Sequence, residues 1–301
     1  MLSRKNKLLL LKVLSLFSVV RGYNILVIVL AQYLAAIYIL APNLPLRGVI
    51  LDIDLFVIVI ASALVIAAGY IINNFYDAEK DLINKPGKSM LDRLVSQRFK
   101  LTTYFVLNFL AVFAAGYVSF RAVFFFSAYI FGIWFYSHKL KRIPFAGNFV
   151  SATLAITPFF AVFVYYKNFE TVIFVHALFL FLLILAREMI KDLENLSGDM
   201  AQNYRTVPIL YGSGVSKLSI AILIVLTLIP SLLLIYAFDV GLMNLYFMGC
   251  IGLLIVFLLL LLRSTTKKHY VWLHNILKLI IVIGVFSILL IDVDLVLNRI
   301  L

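Results

Sequence analysis

The chain alternates between long apolar runs and short polar segments. Residues 24–41, 53–72, 101–120, 122–137, 144–166, 171–187, 218–238, 241–262 and 271–291 carry almost no charge. About 20 apolar residues at 1.5 Å each cross the hydrocarbon core of a bilayer, so the pattern predicts nine transmembrane helices. The runs are solid, whereas strands of an outer-membrane barrel alternate apolar and polar positions. The fourth and sixth runs are short, which local bilayer thinning accommodates. Pro158 and Pro230 lie inside runs, where neighbouring helices can re-satisfy the freed backbone groups. Residues 1–20 are basic and partly apolar, with no small-residue cleavage site before Arg21. They are expected to form an uncleaved amphipathic helix on the membrane surface.

Composition sharpens this picture. Hydrophobic residues make up 64% of the 301 and charged ones 13%, with a mean hydropathy of +1.09. A soluble domain carries about 25% charge, so this chain lacks the polar surface to cover a soluble globule. The single cysteine, Cys250, lies in an apolar run and offers neither a disulfide nor a thiolate metal site. The net charge of +12 reports orientation rather than nucleic-acid binding. Of the Lys and Arg residues, 21 fall in the N-terminus and in the segments after spans two, four, six and eight. Only Arg47, Arg121, Lys167 and Arg299 fall in the opposite set, and Lys278 lies within span nine. By the positive-inside rule the basic set, including the N-terminus, is cytoplasmic. Lys278, near the cytoplasmic end of its span, is expected to snorkel. Asp54, Asp239, Asp292 and Asp294 fall near the outer surface.

The acids are few and clustered. Of 14, seven fall in two short stretches, 73–81 at the exit of span two and 188–199 at the exit of span six. On a helix, residues three and four apart share a face. Asn73, Asp77 and Asp81 form one such row, and Asp192, Asn195 and Asp199 form another. Oxygen rows suit a hard cation such as Mg²⁺, and carboxylates facing each other without a cation would repel. The rows lie four spans apart, so both emerge on the same side of the membrane. Two rows meeting there would clamp a Mg²⁺-bound diphosphate, and the basic Lys80, Lys85, Lys88, Lys191 and Arg205 lie close in sequence. The plainer alternatives are that helix ends near water carry charge anyway and that cytoplasmic loops are basic regardless. His176, inside span six, is read as an interhelical hydrogen bonder.

These residues resemble the motifs of the UbiA family of intramembrane prenyltransferases. The family's Asn-Asp-x-x-Asp-x-x-x-Asp is matched by Asn73-Asn74-Phe75-Tyr76-Asp77-Ala78-Glu79-Lys80-Asp81, followed by Ile83-Asn84-Lys85-Pro86. Its second motif is matched by Lys191-Asp192-Leu193-Glu194-Asn195-Leu196-Ser197-Gly198-Asp199, then Arg205-Thr206-Val207-Pro208. Arg21-Gly22-Tyr23-Asn24 resembles the family's entry to its first helix. The string from Tyr136-Ser137 to Lys141-Arg142, with Gly147-Asn148 following, resembles its loop after the fourth helix. Asn74 and Asn195 depart from the pattern, each standing where the family usually has Asp, so two carboxylates are replaced by neutral oxygen ligands.

The resemblance implies an all-α integral membrane protein forming one domain over residues 1–301, with nine helices around a central cavity and the active site at its cytoplasmic mouth. It implies transfer of a prenyl chain from a prenyl diphosphate to a membrane-associated acceptor, with Mg²⁺ as cofactor and the bilayer as partner. Asp77, Asp81, Asp199 and Tyr136 would be catalytic. Asn73, Asp77, Asp81, Asp192, Asn195 and Asp199 would hold metal, and Lys85, Lys88, Lys191 and Arg205 the diphosphate. Arg21, Asn24, Tyr76 and Ser137 would face the prenyl chain or acceptor. The details look most like the branch that uses a glyceryl-phosphate acceptor, with an aromatic acceptor of quinone biosynthesis as the alternative. The location implied is a bacterial inner or plasma membrane, spanned several times. The Asp-Gly-x-x-Ala-Arg string of CDP-alcohol phosphotransferases is missing from the sequence. The alternatives of a different class are a non-catalytic relative, which would bind the diphosphate without turnover, and a membrane transporter, which would hold its ionisable groups nearer the bilayer midplane.

Overall fold

A computed structural model describes residues 4–292, with the side chains of residues 4–10 and Val13 left aside. Asp294 and Arg299, assigned above to the outer side, lie outside the described residues, as do the side chains of Arg4, Lys5 and Lys7. Among the described residues the protein is helical throughout. Helix α1 is Arg4–Val19 and α2 is Gly22–Ala35, extended by a π-helical turn Ala36–Leu40. A short α3, Leu46–Ile50, leads to α4, Ile53–Tyr76. Two short helices follow, α5 (Ala78–Asn84) and α6 (Pro86–Asp92), then α7 (Gln97–Val118), α8 (Phe120–His138) and α9 (Ala146–Tyr166). The last part contains α10 (Thr171–Glu194), α11 (Leu196–Ala201), α12 (Val207–Tyr236), α13 (Asn244–Arg263) and α14 (Lys267–Ser287).

Among the described residues, nine of these are long and apolar enough to cross a membrane, in the order expected from the sequence. Their ends differ from the expected ones. Helix α10 continues to Glu194, so Asp192 is still helical. The seventh span begins at Val207 rather than near 218, but it breaks at Gly212, whose φ of 82° only glycine adopts without strain. The short apolar turn 207–211 precedes the break, and Ser213, Ser216 and Lys217 after it delay the long apolar run that hydropathy detects to about residue 218.

Helices α4 and α10, which carry the two motifs, are the most buried spans, at 61% and 67%. Around α4 packs one apolar cluster, with Leu55, Val59, Ala111, Phe126 and Val162. Around α10 packs another, with Leu183, Ile190, Ile220, Phe247, Phe257 and Leu277. The outer faces expose rows such as Phe105, Phe109 and Phe113 on α7, as lipid-facing helices do. Helix α1 turns Ser15 and Val19 inward and leaves Leu11, Leu14 and Phe17 exposed, an apolar stripe of the kind an interfacial helix buries in lipid. Its Ser15 hydroxyl donates to the Leu91 carbonyl at 2.8 Å, which ties it to α6.

Candidate active site

Between the two clusters lies a cavity of about 510 Å³, a size that suits a substantial organic ligand. Apolar residues of α2, α4, α9, α10 and α14 form its walls, and the polar ends of α4 and α10 form its mouth. Asn73, Asp77, Asp81, Asp192, Asn195 and Asp199 all line it.

The first row survives a break in the helix. Helix α4 ends at Tyr76, and Asp77 takes φ −92° and ψ 3° before α5 begins. Even so, the Asp77 amide donates to the Asn73 carbonyl at 2.9 Å, Asp81 to Asp77 at 2.8 Å and Lys85 to Asp81 at 2.7 Å. Four-residue spacing therefore persists from Asn73 to Lys85. The second row is built likewise, with the Asn195 amide donating to Lys191 at 2.9 Å and Asp199 to Asn195 at 3.1 Å.

One lysine joins the rows. Lys80 Nζ lies 3.6 Å from Asp77 Oδ1 and 3.1 Å from Asp199 Oδ1. The two aspartates predicted to face each other thus share a single ammonium on one side of the molecule. Asn84 locks the backbones together. Its side-chain amide donates to the Asn195 carbonyl at 3.2 Å and accepts from the Gly198 amide at 3.1 Å. A Cβ at Gly198 would lie 2.3 Å from Asn84 Nδ2, so glycine is required for this approach.

The buried charges set one another's states. Burial pushes the Asp77 carboxyl up, but Lys80 and Lys141 together hold it below the usual range. Lys141 donates to it at 2.7 Å and the Tyr204 hydroxyl at 3.2 Å. Burial would lower Lys80, yet Asp77 and Asp199 hold it well above the usual lysine range. Asp81 is pushed up by burial and then by the charge of Asp77. Asp199 is also raised, by burial that Lys80 only partly offsets. Burial and Asp77 raise the Tyr204 phenol to about 12, so it stays a donor.

Most predicted site residues meet at this cavity. Besides the two rows, Tyr136, Ser137, Lys85, Lys191, Arg21 and Asn24 line it. Three do not. Lys88 turns to Asp92, at 3.0 Å, because α6 carries it one helical turn from that partner. Arg205 is exposed in the segment before α12, its backbone amide donating to the Arg142 carbonyl. Tyr76 lies behind the wall with its ring 5.8 Å from Lys141 Nζ. Asn74 also points away: it donates to Asp92 Oδ2 at 3.0 Å and accepts from the buried Lys100 at 2.8 Å. Lys278, rather than reaching out along the lipid face, lines the cavity.

Several contributors fall outside the site residues that the sequence assigns. Lys80, Lys141 and Tyr204 converge on Asp77, and Asn148 donates to Asp192 Oδ2 at 2.8 Å. Glu188 accepts from Ser151 at 3.0 Å and from Lys191 at 2.7 Å. Lys80 lies within the first motif, and Lys141 and Asn148 lie in or just after the string that begins at Tyr136; those positions are the available signals for them. Tyr204 carries none.

Among the described residues no three Asp, Glu, His or Cys side chains form a ready metal site. The donor set still fits a hard cation shared with a ligand. Asn195 Oδ1 is buried without a hydrogen-bond partner, and neither Asp81 nor Asp192 has a cationic side chain in ion-pair contact among the described residues.

Comparison with known proteins places this geometry. A digeranylgeranylglyceryl phosphate synthase from Thermococcus sibiricus is 34% identical over 224 residues, 74% of this chain and 79% of the relative. A solved structure described as giving structural and mechanistic insights into the biosynthesis of digeranylgeranylglyceryl phosphate synthase in membranes superposes with a TM-score of 0.70 at 23% identity. It covers 92% of this chain and 97% of its own. A UbiA homologue from Archaeoglobus fulgidus bound to GPP and Mg²⁺ gives a TM-score of 0.67 at 14% identity, covering 91% of this chain and 99% of its own. The family model of UbiA prenyltransferases matches residues 27–279, nearly all of the helical bundle built above, and the chain belongs to the UbiA prenyltransferase family.

Proposed function

We propose that this prenyltransferase moves a prenyl chain from a prenyl diphosphate to the free hydroxyl of a glyceryl-phosphate amphiphile, with Mg²⁺ at the mouth of the cavity. The observation that carries this reading is the meeting of the two acid rows on Lys80 at the end of an apolar cavity. Asn73, Asp77, Asp81, Asp192, Asn195 and Asp199 would hold the metal. When bound, Mg²⁺ supplies charge that neutralises the diphosphate oxygens as the allylic C–O bond breaks. Lys80, Lys85 and Lys191 donate to the same oxygens, and their fixed positions lower the barrier electrostatically. The apolar walls keep water from the allylic cation, and the Tyr136 ring stabilises it by about 0.5–2 kcal/mol. The 21 basic residues on one side of the spans support a cytoplasmic position for this mouth. The relative from Thermococcus sibiricus supports the glyceryl-phosphate acceptor.

The test is turnover by the full chain in lipid nanodiscs with geranylgeranyl diphosphate. Glyceryl-phosphate monoether, 4-hydroxybenzoate and dihydroxynaphthoate are offered separately, with and without Mg²⁺. Mass spectrometry should find a product only with the glyceryl phosphate and Mg²⁺. A prenylated aromatic product, with none from glyceryl phosphate, would overturn the acceptor assignment.

A further inference from the structure

Seven Lys and Arg side chains line the cavity, and five of them are matched by carboxylates. Lys80 and Lys141 meet Asp77, Lys85 meets Glu194 at 3.4 Å, and Arg187 and Lys191 meet Glu188. Arg21 and Lys278 are different. Among the described residues neither has a carboxylate in ion-pair contact, and each rests on a tyrosine instead. The Arg21 guanidinium sits 5.0 Å from the Tyr70 ring centroid, and Lys278 Nζ sits 4.7 Å from that of Tyr23. A tyrosine face attracts a cation but carries no net charge, so two positive charges stay uncompensated at the edge of a low-dielectric cavity. Both are part-buried in the cavity lining, where a cation without a carboxylate beside it is open to an anionic ligand.

Their position says what kind. Arg21 immediately precedes α2, and Lys278 lies in α14 one turn beyond His274, whose ring nitrogen is 3.1 Å from Glu194. The Lys278–Tyr23 contact therefore bridges the first and last spans, beside the second acid row. Below it the two helices turn apolar residues to the cavity, Val27 and Ala31 from α2 and Ile281 and Val285 from α14. Tyr23 itself is half exposed, at 53%. The seam thus offers positive charge above an apolar wall, at a place accessible from the side. The unpaired acids, Asp81 and Asp192, lie on the motif elements instead.

We propose that Arg21 and Lys278 form a second anion subsite, distinct from the acid rows, which holds the single phosphate of the acceptor while its tail lies along the α2–α14 wall. This rests on the glyceryl-phosphate acceptor proposed above and names the side chains that select for its phosphate. The ligand chemistry is a phosphate monoester on an apolar tail, and Lys278 is the specificity-determining residue.

The experiment uses the full chain in phosphatidylcholine nanodiscs, with two readouts. Calorimetry measures binding of hexadecyl phosphate, hexadecanol and inorganic phosphate, independent of turnover. Wild type should bind hexadecyl phosphate about tenfold more tightly than hexadecanol, and equimolar inorganic phosphate should not compete. Lys278→Gln should abolish that preference and Lys278→Arg should keep most of it. Arg21→Gln tests the same preference from the other helix, should Lys278→Gln fail to insert. In steady-state kinetics Lys278→Gln should raise KM for the glyceryl-phosphate acceptor about tenfold, leaving KM for geranylgeranyl diphosphate within about twofold. Equal rises in both KM values would assign Lys278 to the diphosphate site and overturn the proposal. An unchanged preference for phosphate over alcohol in both Gln variants would do the same, as would full competition by inorganic phosphate. If hexadecyl phosphate binds through Lys278 while no glyceryl phosphate is turned over, the subsite stands and the acceptor assignment falls. Turnover of glyceryl phosphate with unchanged KM in Lys278→Gln has the opposite meaning.

Discussion

Asn74 and Asn195 both stand where the family's usual carboxylates would be, yet their surroundings differ. Asn195 Oδ1 is buried in the cavity lining without a partner. Under the proposed function, a negative charge there would stand close to the Mg²⁺ ion, and a net gain of about 1 kcal/mol would shift the Mg²⁺ requirement several-fold. Asn195→Asp should therefore lower the Mg²⁺ concentration for half-maximal turnover. Asn74 donates to Asp92 and accepts from Lys100, outside the cavity. Asn74→Asp would set two carboxylates side by side, so it should cost about 1–3 kcal/mol of stability and leave the Mg²⁺ titration unchanged. Thermal unfolding and Mg²⁺ titration of both variants check this pair of outcomes. Asp81 gives a pH prediction. Its folded pKa is raised, first by burial and then by Asp77, so the fold favours its protonated form. Its contribution to stability is present at low pH and is lost as pH rises through the raised value. Asp77, held below the usual range, acts in the opposite sense: its contribution is present above the ordinary carboxylate pKa and is lost as pH falls through the lowered value. Asp81→Asn should then raise Tm at neutral pH while lowering turnover by about 10²-fold or more. If Asp81 and Asp199 hold Mg²⁺ as proposed, protons should compete with it for both, since both are raised. The half-maximal Mg²⁺ concentration should climb as pH falls, starting above the usual carboxylate range. Glu79, 73% exposed and 3.8 Å from Arg93, lies off the row, and Glu79→Ala should be mild by comparison.

At the scale of elements, the spacing of the motifs carries more information than the helix boundaries do. The row Asn73–Asp77–Asp81 is legible as a four-residue repeat. It holds even though the helix ends at Tyr76, because the four-residue hydrogen bonds run on through Asp77. The nine spans are legible because hydropathy reports burial in lipid directly. Lys88 and Arg205 are misplaced for a related reason: closeness in sequence to an acid row does not fix the direction of a side chain in a short helix or an extended segment. Tyr204 is invisible because its bond to Asp77 joins residues far apart in the chain, a tertiary contact with no local periodicity. The contact between α5 and α11 is of the same type and yields a prediction. Gly198→Ala would force a methyl group to 2.3 Å from Asn84 Nδ2, and overpacking of this kind costs about 1–3 kcal/mol. The displaced α11 carries Asp199, so turnover should fall further than the Tm shift alone explains. Asn84→Ala removes both bridging bonds without crowding. It should lower stability by about 1–3 kcal/mol and raise KM for the diphosphate. A Tm loss in Gly198→Ala with normal turnover would show that α11 can shift without disturbing the site.

In the whole molecule, the two motif helices are the most buried spans, each the centre of its own packing cluster, and the cavity is the seam between them. This arrangement separates two tasks. Charge gathers at one end, where α4 and α10 finish, and the rest of the wall is apolar, so a diphosphate and its tail are sorted along the axis of the bundle by polarity. Under the proposed function, the depth of the apolar part would limit the prenyl chain. With the acceptor tail proposed on the α2–α14 wall, the donor tail is left the wall of α9, where Ala155 lines the cavity one turn beyond Ser151. Ala155→Trp would place a large rigid side chain across the wall where a long donor tail would run, while leaving the charged mouth intact. With acceptor saturating, turnover of geranyl diphosphate should stay within about threefold of wild type and that of geranylgeranyl diphosphate should fall about tenfold or more. The two donors share a diphosphate and an allylic carbon, so a difference between them can come only from the tail. A parallel fall for both would mean that the introduced indole obstructs the acceptor or the mouth, and that the donor tail lies against another wall of the cavity. Repeating the series with Ala31→Trp, on α2, would then distinguish a donor tail along α9 from one that shares the wall between α2 and α14.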